Sequence, residues 1–507
     1  MKTREHETMK MRGSADTSYL GRTVDEMIWE FMDEQEIPGL TLAIVQAPYI
    51  PRVVGYGVSD AKQKRLASAN TLWPAGPISQ AFAAVAIMQL YEDGRFKMDD
   101  KVTRFIPGLP EAWEEITILQ LLRHASGIAD YRELETWNAF KEWKFTELIH
   151  LAASQPLLFI PGTAVKQSAT NFLLLTEVVE QISGKSYHDF VTERQIEYLG
   201  LRHTGFAEDL EDFTYENINL TDNIHQLFKK DGKYIDPTEP AASYDPNGTP
   251  VARVPSSALR GFSDIWASAQ DISTWDIGLA GSVLIHEPEN RALVYAPWKL
   301  PDGQEVPAVA GWQFYKHRGL MDIKGSVSGY STFLSRFTDP EELVCVTLMA
   351  NKEGVDFTNL GRRIAGAFGD LLSTNYDDNR LYLLEGQQSV ADTVKKLEDE
   401  LVKRQIPLFA KFDHAQNAAE AGLELRPTTV LVFGSPKVGT GLMQADQSIS
   451  LELPLRISVW EDESGSTWLA FPRIVSMAAE YHLDQHPVAA KMQELMETLV
   501  KNAGSIY

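Results

Sequence analysis

Few side chains in this 507-residue chain have the type and setting for covalent chemistry. Two serines stand before apolar runs of helical character: Ser79, in Gly76-Pro77-Ile78-Ser79-Gln80, and Ser168, in Gln167-Ser168-Ala169. A serine becomes a nucleophile only where a nearby base takes its proton. Lys324, in Ile323-Lys324-Gly325-Ser326, is the base that could serve either one. A third cluster, Gly434-Ser435-Pro436-Lys437-Val438-Gly439-Thr440, sets glycines, a lysine and hydroxyls between a strand and a helix. Free amides at such a helix start suit an anion or a small ligand, and His414 lies close to this loop in the order of elements. The competing reading is a tight structural turn, and the G-K-[ST] order of a nucleotide loop is absent. The single cysteine, Cys345, sits in the apolar run Leu343-Val344-Cys345-Val346, as a core-strand thiol would. It has no partner for a disulfide, and no Cys/His spacing suggests a metal. No cofactor is expected.

The elements that must position these residues begin with residues 72–90. Leu72-Trp73-Pro74 reads as a short strand and Gly76-Pro77 as a tight turn. From Ala81 to Leu90 nearly every side chain is apolar and small, so the helix that follows is buried on most sides. Pro77 takes its first position, where a fixed φ and a missing N–H do no harm. Ser79, two residues on, falls on the opposite side of the helix from Pro77, and its default role is a hydrogen bond to the local backbone. Upstream, 24–35 has helical spacing and Pro38-Gly39 stops it, and 40–45 with 53–57 reads as an antiparallel hairpin. On a strand, Lys324 points to the face opposite Ile323 unless a bulge intervenes. Asp271 is placed to cap a helix, and Ser126-Gly127 suits a helix C-terminal turn. Residues 207–255 are polar and turn-rich, as an irregular loop over a pocket mouth would be.

These stretches resemble the serine β-lactamases and penicillin-binding proteins, chiefly the esterase and D-peptidase branch. The likeness rests on the strand-turn-helix of 72–90 with Gly94 and Met98-Asp99-Asp100 after it, on Ile116-Thr117 through Leu121-Leu122-Arg123-His124-Ala125-Ser126-Gly127, and on Ala267-Ser268-Ala269-Gln270-Asp271. It spans about residues 20–375. In that family a serine and a lysine three residues later open the buried helix, a Tyr-Ser-Asn triplet supplies proton transfer and amide binding, and a His-x-Gly or Lys-Thr-Gly strand edges the pocket. Here those positions hold Pro77 and Gln80, then Gln167, Ser168 and Ala169, then Ile323. A proline has no nucleophile and a glutamine no useful base, so the resemblance implies the scaffold without its acyl-enzyme chemistry. His124 falls in a segment that is structural in the family.

From Ser389 a second unit reads as helix 390–404, strand 407–412, helix 417–422, strand 429–433, a short helix near Met443, strands 453–461 and 467–471, and helix 487–502. It resembles the small α/β family known as domain of unknown function 302. The residues that carry the likeness are Phe409-Ala410-Lys411-Phe412-Asp413-His414, Gly422-Leu423-Glu424-Leu425-Arg426-Pro427 and Val432-Phe433-Gly434-Ser435-Pro436-Lys437. The expected organisation is a flexible start (1–18), a β-lactamase-like domain of antiparallel sheet, flanking helices and an all-helical subdomain (19–375), a linker (376–388) and a small α/β domain (389–507).

Apolar residues make up 44% of the chain, enough for full cores, and the net charge of −23 disfavours nucleic acid and anionic membranes as partners. No apolar run is long enough to span a membrane. Met1 to Ser14 is polar, which places the chain in the cytoplasm unless a leader has been removed. The leading expectation is a catalytically degenerate protein that binds a small molecule or a partner, through a pocket lined by Pro77, Gln80, Gln167, Ser168 and Ile323 or through a second site at His414, Gly434, Ser435, Lys437, Gly439 and Thr440. Two alternatives are a serine hydrolase or esterase with relocated residues (Ser79 or Ser168 with Lys324), and an activity residing in the C-terminal domain. The oligomeric state is open, a homodimer included.

Overall fold

A computed structural model describes residues 18–19, 22–47, 49–210, 229–230, 233–234, 239–245, 249–314, 320–338, 343–369, 381–463, 465–479, 481, 483 and 486–505. The chain divides into two compact units, the larger reaching to Phe368 and the smaller taking the chain from Gly369 onward.

The larger unit is built on an eight-stranded sheet. Its central strands are Leu320–Val327, Tyr330–Thr338, Leu343–Ala350, Gly39–Gln46 and Tyr49–Asp60, in that order. The outer positions are short strands at 308–309 and 312–314 on one side and 65–66 on the other. The hairpin read from 40–45 and 53–57 is the antiparallel pair Gly39–Gln46 with Tyr49–Asp60. Helix Val24–Glu34 precedes it, closed at its start by a Thr23–Glu26 capping box. A smaller four-stranded sheet orders 239–240, Thr71–Pro74, Ile265–Ala267 and Thr204–Phe206. Helix Ile78–Glu92 is buried at every residue from Ile78 to Leu90. Its even apolar character is that of a core helix rather than a surface one. It packs against helix Ala169–Ser183 of the helical region, and Phe82 stacks on Trp275, ring centroids 4.2 Å apart.

Two local expectations differ in detail. The helix Ala269–Ala280 is capped by Ser268, whose Oγ accepts from the Asp271 N–H at 3.1 Å. Asp271, buried in the first turn, accepts from His203 N–H and Thr204 Oγ–H. The helix Ile118–Leu122 is closed not at Gly127 but by His124 itself, in the left-handed region at φ +53°. The Ala125 N–H reaches back to Gln120 C=O at 2.8 Å, the bond of a Schellman ending with histidine where glycine is usual. Of the loop expected over 207–255, residues 211–228, 231–232, 235–238 and 246–248 lie outside the described residues, as do 1–17 of the expected flexible start.

The smaller unit is a five-stranded antiparallel sheet ordered Leu381–Gly386, Thr467–Pro472, Leu455–Glu461, Thr428–Phe433, Leu408–Asp413. Helices Val390–Lys403 and Pro487–Gly504 pack on each other beside it, over a core of Leu397, Leu431, Ile457, Leu469, Met496 and Leu499. The linker expected over 376–388 is therefore too long. Leu381–Gly386 pairs along its whole length with 467–472, so it is part of the fold that follows. Its alternating Leu-Tyr-Leu-Leu run is too short for the pattern alone to separate from a connecting segment.

Candidate functional site

The turn before the buried helix carries the first group of candidate residues. Gly76 has φ +56°, and Pro77 follows in right-handed helical geometry at φ −60°, one residue before Ile78. Pro77 is half-buried and lies against the strand 320–327. A Cβ added at Gly325 would meet Pro77 Cγ at 2.5 Å, and one added at Gly311 would meet the Pro77 C=O at 2.9 Å. The proline ring thus fills the space between the helix start and that strand.

Gln80, one turn in, is fully buried. Its Oε1 lies 3.0 Å from His124 Nε2. The other imidazole nitrogen, Nδ1, accepts from the Ser168 backbone N–H at 3.2 Å and lies 3.1 Å from Asn171 Nδ2. A backbone N–H can only donate, so Nδ1 carries no proton and Nε2–H donates to Gln80. The Asn171 amide is oriented in turn by Ser126 Oγ–H, which donates to its Oδ1 at 2.6 Å. Burial pulls the His124 imidazole down to about 3, against the opposing pull of the Asp130 carboxylate. His124 is therefore neutral at physiological pH and joins the two central helices through Gln80 and Ser168.

The remaining candidates separate. Ser79 is fully buried, but its hydroxyl accepts from the Ile265 N–H at 3.2 Å. This is a tie between helix and sheet, not the local helix bond expected for it. Ser168 is buried and its Oγ has no hydrogen-bond partner among the described residues, while Ala169 behind it is fully buried. Gln167 is exposed. Ile323 is fully buried on the helix side of its strand. No bulge interrupts 320–327, so Lys324 stays on the opposite face, where its Nζ donates to Thr358 Oγ1 at 2.6 Å and lies 3.6 Å from Asp356. Cys345 is buried, and desolvation pushes its thiol well up from the ordinary range.

Sequence reasoning put His124 in a structural segment. It did not connect that histidine to two of the candidate positions. The signal was present in the apolar spacing that packs 118–122 against 169–183, but only tertiary contact converts it into a bond to Gln80.

In the smaller unit the glycine-rich loop opens helix Pro436–Ala445. Gly434, Ser435 and Gly439 line a cavity of about 480 Å³ whose walls include Phe409, Phe433, Met443, Met492 and Leu495. Lys437 and Thr440 are exposed beside it and do not line it. His414 is exposed at the start of helix His414–Glu420, its ring 6.4 Å from Phe412, and does not reach the cavity.

An apolar helix buried along its length, its start against the strand 320–327, fits the class of the serine β-lactamases and penicillin-binding proteins. Residues 24–369 match the model of the Beta-lactamase family, and residues 384–499 that of Domain of unknown function DUF302. The first match takes in well over half of the chain: the protein belongs to the Beta-lactamase family, with a DUF302 segment after it.

A penicillin-binding protein of Bacillus subtilis (strain 168) is 24% identical over 322 residues, 59% of this chain and 64% of that one. Fluoride-specific ion channel FluC 1 of Brucella suis biovar 1 (strain 1330) is 32% identical over 165 residues, 29% of this chain and 64% of that one. The chain thus spans less than two thirds of the length of these curated relatives. Among solved structures, the octameric penicillin-binding protein homologue from Pyrococcus abyssi aligns over 88% of this chain and 89% of its own, at 18% identity and TM-score 0.53. The D-amino acid amidase of Ochrobactrum anthropi SV3, complexed with L-phenylalanine amide, aligns over 68% of this chain and 99% of its own, at 17% identity and TM-score 0.55. At such identities the likeness is one of fold. Among the described residues no helix is long and apolar enough to cross a membrane.

Proposed function

We propose that the larger unit is a β-lactamase-type scaffold that binds without forming an acyl-enzyme. One observation carries this reading: the helix start offers a proline ring at 77, and Gln80 Oε1 accepts from a neutral histidine. Nucleophilic catalysis needs a hydroxyl with a base at about 3 Å. Ser79 is turned to a backbone N–H, Ser168 has no partner among the described residues, and Lys324 belongs to the other face of the sheet. A relocated serine hydrolase lacks such a pair in this arrangement. Gln80, Ser168 and Ile323 are closed off from solvent, so a ligand at the helix start meets the Pro77 ring and the exposed Gln167, neither of them charged, which favours a neutral small ligand or a partner of low charge.

The test is the intact-protein mass after incubation with a penicillin and with an activated acyl ester. The expected result is no mass increase on the natural chain. A covalent adduct would overturn the reading, and peptide mapping would name the nucleophile. The Pro77→Ser, Gln80→Lys double variant run beside it asks whether the scaffold still supports acylation once the hydroxyl and amine are restored.

A further inference from the structure

The smaller unit holds a cavity for which nothing so far accounts. Its volume, about 480 Å³, falls within the range of roughly 300–1,000 Å³ typical of small-molecule sites. Its walls come from the strand at 433, the loop 434–439, the turn at 453–455 and the helix 487–504, and they are almost wholly apolar. A core that had no use for the space would close it, because each unfilled volume forfeits dispersion contacts. The glycines keep it open. A Cβ on Gly434 would meet nothing closer than Phe409 at 3.6 Å, and one on Gly439 nothing closer than Leu453 at 3.5 Å. Neither glycine is there for backbone strain or steric necessity.

Ser435 and Ser450 are the polar side chains in its lining. Ser435, which lines the cavity, makes no side-chain capping bond to the helix it precedes. Lys437, two residues on, is exposed in the first turn of that helix, which contains no acidic residue, and has no ion-pair partner among the described residues. An unpaired cation at a helix start is unfavourable by itself and becomes favourable when an anion sits between it and the free amides. In a chain of net charge −23, this local positive end is complementary to a ligand of opposite sign.

We infer that this cavity binds a small amphiphile of medium-length apolar chain with a carboxylate head, the chain among Phe409, Phe433, Met443, Met492 and Leu495 and the head at Ser435 and Lys437. The inference is independent of whether the larger unit acylates, because it concerns reversible binding to a different unit.

The experiment is calorimetric titration of the full chain with hexanoate, octanoate and decanoate, each compared with the alcohol of equal length. Binding is expected to tighten about fourfold per added methylene until the cavity is full, the burial of one CH₂ being the source of the gain. The Gly439→Leu variant fills the cavity without backbone penalty, since glycine is the poorer helix former, and should weaken decanoate binding at least tenfold. Lys437→Glu should weaken decanoate and leave decanol unchanged. No binding of either series, affinity independent of chain length, or full affinity in Gly439→Leu would each overturn the site. Equal loss of acid and alcohol in Lys437→Glu would overturn the placing of the head.

Discussion

At the scale of single residues, two buried groups set opposite pH dependences within the same unit. His124 has a folded value of about 3 against an ordinary 6.5. As the pH falls below about 6.5, the unfolded chain takes up a proton that the folded chain refuses, so this contribution to stability is present above 6.5 and is lost toward pH 3. Asp264 behaves the other way. It is buried, its Oδ2 accepts from the Gly261 N–H at 2.8 Å, and its Oδ1 has no hydrogen-bond partner among the described residues. Burial pushes its carboxyl from 3.8 up to about 7. Between about pH 4 and 7 the folded chain holds a proton the unfolded chain has released, so this contribution falls as pH rises. Each slope amounts to about 1.4 kcal/mol per pH unit, and between about pH 4 and 6.5 they oppose. Urea unfolding of the single variants should therefore separate them. Relative to the natural chain, Asp264→Asn should gain stability as the pH rises through that window. His124→Asn keeps a residue that tolerates the left-handed backbone. Its cost should be greatest near pH 7, about 2–4 kcal/mol for the bonds left unmade, and should shrink as the pH falls. Parallel stability curves for both variants would contradict the assignment.

At the scale of elements, the contact between Pro77 and Gly325 determines how closely the helix start approaches the neighbouring strand. A methyl group at 325 would lie 2.5 Å from the proline Cγ and 3.1 Å from its Cδ, but 3.9 Å from its Cβ. Gly325→Ala should cost about 1–3 kcal/mol in the natural chain, as overpacking does. With Pro77→Ser, which removes the two ring carbons that clash, most of that cost should vanish. A double-mutant cycle by urea unfolding measures the coupling, and simple additivity would argue against the contact. Much at this scale was legible in advance. The buried helix, the hairpin, the face chosen by Lys324 and nearly every element after Ser389 follow from periodicity and turn chemistry. The two-residue strand Glu239–Pro240 and the six-residue strand Leu381–Gly386 do not, because segments so short draw their identity from the neighbour they pair with. The Ser79 hydroxyl illustrates the same limit. Its burial followed from the sequence, but its partner, Ile265, lies 186 positions away.

At the scale of the whole molecule, the two units have separate apolar cores. The limits of the smaller one carry a testable consequence. Tyr382, on its first strand, is fully buried and stacks on Phe471 with ring centroids 4.8 Å apart. A fragment of residues 376–507 should unfold cooperatively on heating, followed by circular dichroism. A fragment of 389–507 lacks that strand, uncovers Phe471 and leaves the neighbouring strand Thr467–Pro472 as a raw edge. It should melt at lower temperature or aggregate, and equal melting of the two would contradict the boundary. In the larger unit, the web through Gln80, His124, Ser168 and Asn171 bears on how such a protein can change over generations. Serine in place of Pro77 supplies a hydroxyl with nothing to activate it. Lysine in place of Gln80 puts a charge beside an imidazole that cannot accept it as a partner and removes a bond that joins two helices. On the proposed reading neither replacement acts without the other, and the one at Gln80 costs stability at once. A route from this helix start to an acylating site then passes through a replacement at position 80 that loosens the join between two helices before it offers any chemistry.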